Sequence, residues 1–157
     1  MSVGSIGFDT TEIRAFARQV QGADKIVMNE LATAFDESGT LILSGARGNI
    51  HNKTGALSAS GKSKTRVAAT FVVTIVKFAA YRNGFNYASA VEWGRGPVFA
   101  RRAKFLRFEI GGQVFFRKSV GPAKAQHFLG RSFDRNQGAV AQKVDAAAAR
   151  IVARVLR

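Results

Sequence analysis

Thr70-Phe71-Val72-Val73-Thr74-Ile75-Val76-Lys77-Phe78 decides the fold class of this chain. It is dense in β-branched and aromatic residues, which suit a pleated, half-buried surface. Both of its alternating sets carry apolar groups, so it reads as a strand that is central or covered on both faces. Upstream, Lys62–Ala68 can pair with it, although no Gly or Pro marks a turn between them. Downstream, Lys104–Ile110 and Gln113–Val120 flank Gly111-Gly112, a strong two-residue hairpin signal. Phe105, Arg107, Phe108, Val114, Phe115 and Phe116 straddle that hairpin. His51–Ser63 is polar and contains glycine, so it reads as a loop leading into the sheet.

Helices bracket these strands. Asp9 is a good N-cap, Glu12 completes a capping box, and Phe8 and Ile13 sit where a hydrophobic staple forms. Ile13, Phe16, Val20, Val27, Leu31 and Phe35 then recur at helical spacing. This predicts a helix reaching at least Glu37. Thr40–Ile50 can extend it only against Gly39, Gly45 and Gly48. From Asn136 to Arg157 a second helix is expected, with Val140, Val144, Ala148, Ile151 and Val155 as its apolar stripe. Lys143, Arg150, Arg154 and Arg157 form a basic stripe about a quarter-turn away. The expected architecture is a single α+β domain over residues 1–157, with a long N-terminal helix, a central antiparallel sheet with a hairpin, and a C-terminal helix.

Composition narrows the function classes. A length of 157 residues suits one domain with a modest core, and an apolar content that includes thirteen Phe is globular. There is no Cys, which excludes disulfides and thiolate metal sites. Met1–Phe8 lacks the basic-then-apolar order of a secretory signal, and the run Phe71–Val76 is far short of the roughly 20 residues that span a bilayer. A soluble, cytoplasm-made protein is expected. The formal charge of +14 is uneven. Residues 1–50 hold four basic and six acidic side chains, whereas residues 51–157 hold twenty basic and four acidic, which suggests a polyanion or an acidic surface nearby.

Catalytic patterns fail on inspection. Gly55-Ala-Leu-Ser-Ala-Ser-Gly61-Lys62-Ser63 resembles a phosphate-binding loop, but it has five residues between its glycines where the motif needs four. It also precedes a strand where the motif opens a helix. His51 and His127 lie far apart, with no second ligand type at metal-binding spacing. After residue 50 the only acids are Glu92, Glu109, Asp134 and Asp145, with no paired carboxylates and no base–nucleophile signature. No enzyme activity, metal or cofactor is expected.

Three segments remain: Lys53-Thr-Gly-Ala-Leu57, Tyr87-Ala-Ser-Ala-Val-Glu-Trp-Gly94 and Pro122-Ala-Lys-Ala-Gln-His-Phe-Leu129. In this order and spacing the chain resembles the tail-completion, or head–tail joining (neck), family of long-tailed phages. Thr54, Gly55 and Leu57 match that family's TG-x-L lead-in to the sheet. Tyr87, Ala88, Val91, Glu92 and Gly94 match its Y-A-x-x-V-E-x-G segment, and Pro122, Ala123, Phe128 and Leu129 match P-A-x-x-F-L before the last helix. His127, Gly130 and Ser132 depart from the family pattern.

The resemblance implies a structural virion protein that forms a ring, six-fold by analogy with phage tails, at the head–tail junction or as terminator at the tail end. Assembly would occur in the host cytoplasm. Its partners would be copies of itself, other neck and tail proteins and, without sequence specificity, passing genomic DNA; no membrane is involved. Thr54, Gly55, Leu57, Tyr87, Val91, Glu92, Trp93, Gly94, Phe128 and Leu129 are the expected subunit or partner contacts, since aromatics concentrate at interface cores. Trp93 and Tyr87 can equally fill the domain core. Two basic groups are candidates for a DNA channel or a docking patch: Lys62, Lys64, Arg66, Arg101 and Arg102, and alternatively Lys143, Arg150 and Arg154. For the last group, a solvated helix face is the plainer reading. The competing function is a freestanding basic DNA-binding protein, although no helix-turn-helix, zinc or RNA-binding signature is present.

Overall fold

A computed structural model describes residues 11–51, 55–68, 70–82, 85–110 and 112–155. Its elements, in order, are α1 (Thr11–Asn49), α2 (Ala56–Ala59), β1 (Lys62–Val67), β2 (Val72–Lys77), β3 (Tyr81–Arg82), β4 (Phe85–Asn86), α3 (Ala88–Trp93), β5 (Val98–Phe99), β6 (Leu106–Ile110), β7 (Gln113–Arg117), β8 (Ser119–Val120) and α4 (Phe128–Val155). The fold is α+β, with a long helix at each end and small antiparallel sheets between. The capping box of Asp9 and Glu12, the Phe8–Ile13 staple with Phe16 and Val20, Thr54, Gly111 and Arg157 lie outside the described residues or side chains.

Three expectations are corrected. The strands do not form one central sheet; the described residues make four two-stranded sheets, β1–β2, β3–β4, β5–β8 and β6–β7. β2 is not covered on both faces, because Val73 and Ile75 are exposed while Val72, Thr74 and Val76 are half-buried. A two-stranded sheet packed on one side leaves its second set of side chains in solvent. Of the expected α4 stripe, Val140, Val144, Ile151 and Val155 are half-buried, but Ala148 is exposed and its neighbour Ala147 is the buried residue. The helices also run further than expected. α1 continues through Gly39, Gly45 and Gly48, and α4 starts at Phe128, well before Asn136. Each helical glycine costs about 1 kcal/mol relative to alanine, and tertiary packing overrides that propensity.

The chain divides into two compact units. The first comprises Met1–Gly39, Lys64–Ile75 and Gly138–Arg157. Here Ala34 and Ser38, one helical turn apart, are buried on α1, and Ala147 is buried on α4. The two helical segments run antiparallel, since Glu37 pairs with Lys143 at 2.6 Å and Glu30 with Arg150 at 2.6 Å and Arg154 at 2.7 Å. The β1–β2 hairpin presents its hydroxyl face to α1. Thr65 Oγ1 donates to Asp36 Oδ1 at 2.9 Å and so accepts from Thr74 Oγ1 at 2.7 Å.

The second unit comprises Thr40–Ser63 and Val76–Gln137. Its core is Ala46, Leu57, Ala80, Ala88 and Phe128, with Ile50, Phe78, Tyr87, Val91 and Leu129 packed around them. Phe78 meets Phe128 edge-to-face at 4.9 Å between centroids. α1 and α4 approach closely here because Gly45 carries no side chain: a Cβ there would lie 2.4 Å from Ser132 Oγ. That hydroxyl is fully buried and donates to the Ile42 carbonyl at 2.7 Å.

Candidate functional site

The functional candidates converge around the N-terminus of α4. A helix begins with unpartnered backbone N–H groups, usually satisfied by Ser, Thr, Asp or Asn at the N-cap. Here the N-cap position holds His127, with φ of 46°, in the left-handed region. An imidazole there does not supply the usual cap. Glu92, at the end of α3, does so from a distance. Its Oε2 accepts the Leu129 N–H and its Oε1 the Gly130 N–H, both at 3.0 Å. These are the second and third residues of the helix, the positions an N-cap side chain serves. The carboxylate also suits the positive end of the helix dipole.

Backbone bonds fix this geometry. Gln126 N–H donates to the Val91 carbonyl at 2.8 Å and His127 N–H to the Glu92 carbonyl at 3.0 Å. Arg95 and Ala123 exchange N–H···O bonds of 3.0 and 2.9 Å. Gly94 joins the two sets at φ of 77°, and a Cβ on it would sit 2.8 Å from the Ala123 carbonyl oxygen. Glycine is therefore required there for both torsion and space. On the other side of the segment, the Gln126 amide bridges the His51 backbone, accepting its N–H at 3.2 Å and donating to its carbonyl at 3.4 Å.

The sequence-predicted contact residues thus separate into two classes. Leu57 and Phe128 are 2 % exposed and belong to the core, and Glu92 at 7 % is enclosed by the amides it caps. Tyr87, Val91 and Leu129 pack on that core, and the Tyr87 N–H donates to the Ala80 carbonyl at 3.0 Å. Gly55 is exposed, at φ of 72°. Trp93 alone among the aromatics of this set faces outward, at 71 % exposure, with its ring edge-on to His127 at 5.7 Å. Sequence reasoning missed Phe78, Ala80 and Gln126. It also missed the capping role of Glu92, although one acid in a strongly basic stretch, before a helix lacking an ordinary N-cap, was a usable signal.

The two basic groups also differ. Lys62, Lys64 and Arg66 alternate along β1 and are exposed, as are Arg101 and Arg102, and no ion pair engages them among the described residues. Lys143, Arg150 and Arg154 are committed to Glu37 and Glu30. The Arg150 hydrogen bond, with the nearby Arg154 charge, holds the Glu30 carboxyl below its ordinary range, against the opposing effect of desolvation. Lys143 does the same for Glu37.

Chemically, the Glu92 site is a closed joint. Each carboxylate oxygen accepts one backbone amide, and among the described residues no nucleophile is hydrogen-bonded to it. Among the described residues no group of three or more His, Asp or Glu side chains could hold a metal ion, and no helix is long and apolar enough to cross a membrane. No protein-family model, curated protein sequence or solved structure matches this chain.

Proposed function

We propose that the chain is a structural subunit of a long-tailed phage virion, joining head to tail or completing the tail end as one member of a ring. One observation carries this reading. The segments that resemble the neck family, far apart in sequence, converge on one framework in which Glu92 ties α3 to α4 and Leu57 and Phe128 fill the same core. That framework leaves Trp93 outward, followed by the exposed Val98, Phe99, Arg101 and Arg102. Exposed aromatics beside long cationic side chains suit contact with neighbouring protein surfaces. A cyclic ring needs such a patch to meet a different patch on the next copy, the heterologous contact that closes a ring.

The test is electron microscopy of particles assembled with and without the protein. Expected are a closed ring in the complete particle and, without it, separate heads and tails or tails of irregular end structure. Infectious particles of normal form lacking the protein would defeat the reading. A second reading, a freestanding DNA-binding protein, is favoured by the exposed cations of β1 and the Arg101-Arg102 segment, which no ion pair engages among the described residues. It requires the isolated chain to bind linear DNA with a steep loss of affinity as salt rises. Weak, shallow binding by the isolated chain supports the virion role.

A further inference from the structure

The β6–β7 hairpin is a two-stranded sheet whose outer edges have no partner strand among the described residues. Such ribbons are marginal alone, and an open edge is a template for another strand. Which backbone groups face outward follows from the register. Ile110 pairs with Gln113, Glu109 with Val114, Phe108 with Phe115, Arg107 with Phe116 and Leu106 with Arg117. In a hairpin closed by a two-residue loop the flanking pair, Ile110–Gln113, exchanges hydrogen bonds, and the pattern alternates from there. Phe108–Phe115 and Leu106–Arg117 are then also bonded pairs. The N–H and C=O groups of Arg107 and Glu109 point to the open edge of β6.

A second copy can pair antiparallel with this edge only in registers that join those outward groups. Centring on Arg107 sets arginine against arginine, and centring on Glu109 sets glutamate against glutamate. Centring on Phe108 sets Arg107 against Glu109 of the other copy, twice by symmetry. This register alone supplies both outward hydrogen bonds and opposite charges directly across the ladder. Arg107 and Glu109 are exposed, and no ion pair engages either among the described residues. β7 offers no equivalent, since its outward-facing pairs present Val114 and Phe116, which carry no charge to set a register. We infer that this protein self-associates through β6, forming a two-fold, four-stranded sheet with Phe108 at its centre. The contact is isologous, so it is distinct from the heterologous contacts of a ring. It stands or falls independently of the virion role.

Charge reversal on the full-length chain tests it by sedimentation equilibrium at low salt. The wild-type chain is expected to dimerise. Arg107→Glu and Glu109→Arg, each placing like charges across the ladder, are each expected to weaken the dimer by about tenfold or more. Mixing the two variants restores both pairs in a heterodimer, as does the double variant R107E/E109R in a homodimer. Circular dichroism checks that each variant is folded. Because the chain has no cysteine, a second measurement reads the register directly. F108C is expected to form a disulfide-linked dimer on mild oxidation, since residues across a non-bonded antiparallel pair lie within disulfide reach, whereas L106C is not. A chain that stays monomeric at all concentrations overturns the inference. So does a dimer that neither single reversal weakens, or one that the mixture fails to restore.

Discussion

Removing the Glu92 carboxylate tests the joint around which the second unit is built. In Glu92→Ala the Leu129 and Gly130 amides lose their acceptors, each now at 3.0 Å. A hydrogen bond to a charged group contributes roughly 1.5–3 kcal/mol, and a carboxylate at a helix N-terminus adds about 0.3–1 kcal/mol. The first turn of α4 can fray and admit water, which recovers part of this. The expected net loss is about 3 kcal/mol, or roughly 10 °C in Tm for a chain of this size. Glu92→Gln keeps one acceptor oxygen but sets an NH2 group against an amide, so about half the loss is expected. Urea denaturation should show a lower midpoint at unchanged slope. Hydrogen exchange should accelerate first at Leu129 and Gly130. A Glu92→Ala loss below about 0.5 kcal/mol, or unchanged exchange at those two amides, would refute the capping argument.

Other expectations follow from single observations. Gly45→Ala should destabilise by about 1–3 kcal/mol, because its Cβ would enter the space of the buried Ser132 hydroxyl. Gly48→Ala, with nothing within 4 Å, should stabilise by about 1 kcal/mol through helix propensity, and chemical denaturation of the pair compares the signs. Glu30 titrates below its ordinary value of 4.5 in the folded chain, so its contribution is present above that pH and is lost as pH falls through the lowered folded value. Glu30→Gln should therefore flatten the acid limb of the stability–pH curve measured between about pH 5 and 2. Trp93 is the chain's single tryptophan and largely exposed, so its emission should be red-shifted and quenched by acrylamide in the free protein. On ring assembly it should shift blue if its surface becomes a contact, and unchanged emission in the assembled ring would remove Trp93 from the interface.

The helices, the β1–β2 pair and the Gly111-Gly112 hairpin were legible because each is a local pattern: helical spacing, β-branched density, a two-glycine turn. The arrangement of strands was not. β5 pairs with β8 across the whole β6–β7 hairpin, and neither two-residue strand carries a periodic signal. The extension of α1 through its glycines was hidden because their cost is local, while the compensating fit, Gly45 against Ser132, lies at the far end of the sequence. The α4 stripe was read correctly at Val140, Val144, Ile151 and Val155, and missed only at Ala148, since Ala147 and Ala148 are chemically identical and only packing separates them. At the candidate site the sequence picked out Glu92 but not its role, because its partners are backbone amides, which leave no mark on residue type.

The same structure narrows where a polyanion could meet this chain. As a run of letters, Lys143, Arg150 and Arg154 form a basic helix stripe, the alternative to the cations of β1 as a place to meet DNA and more plainly a solvated face. In the folded chain the three helix cations answer Glu37 and Glu30, so recruiting them to phosphate would leave the largely buried Glu30 without its partners. An unpaired, enclosed carboxylate is unfavourable, and that penalty would offset the attraction of these cations for phosphate. Among the described residues, Lys62, Lys64, Arg66, Arg101 and Arg102 carry no such obligation. Neutralising the helix group should therefore lower stability before it alters any dealings with DNA, whereas neutralising the strand and loop group should leave stability nearly unchanged. A loss of genome retention or of head–tail joining in the second set, with folding intact, assigns those residues to function. The same loss in the first set reports a damaged fold.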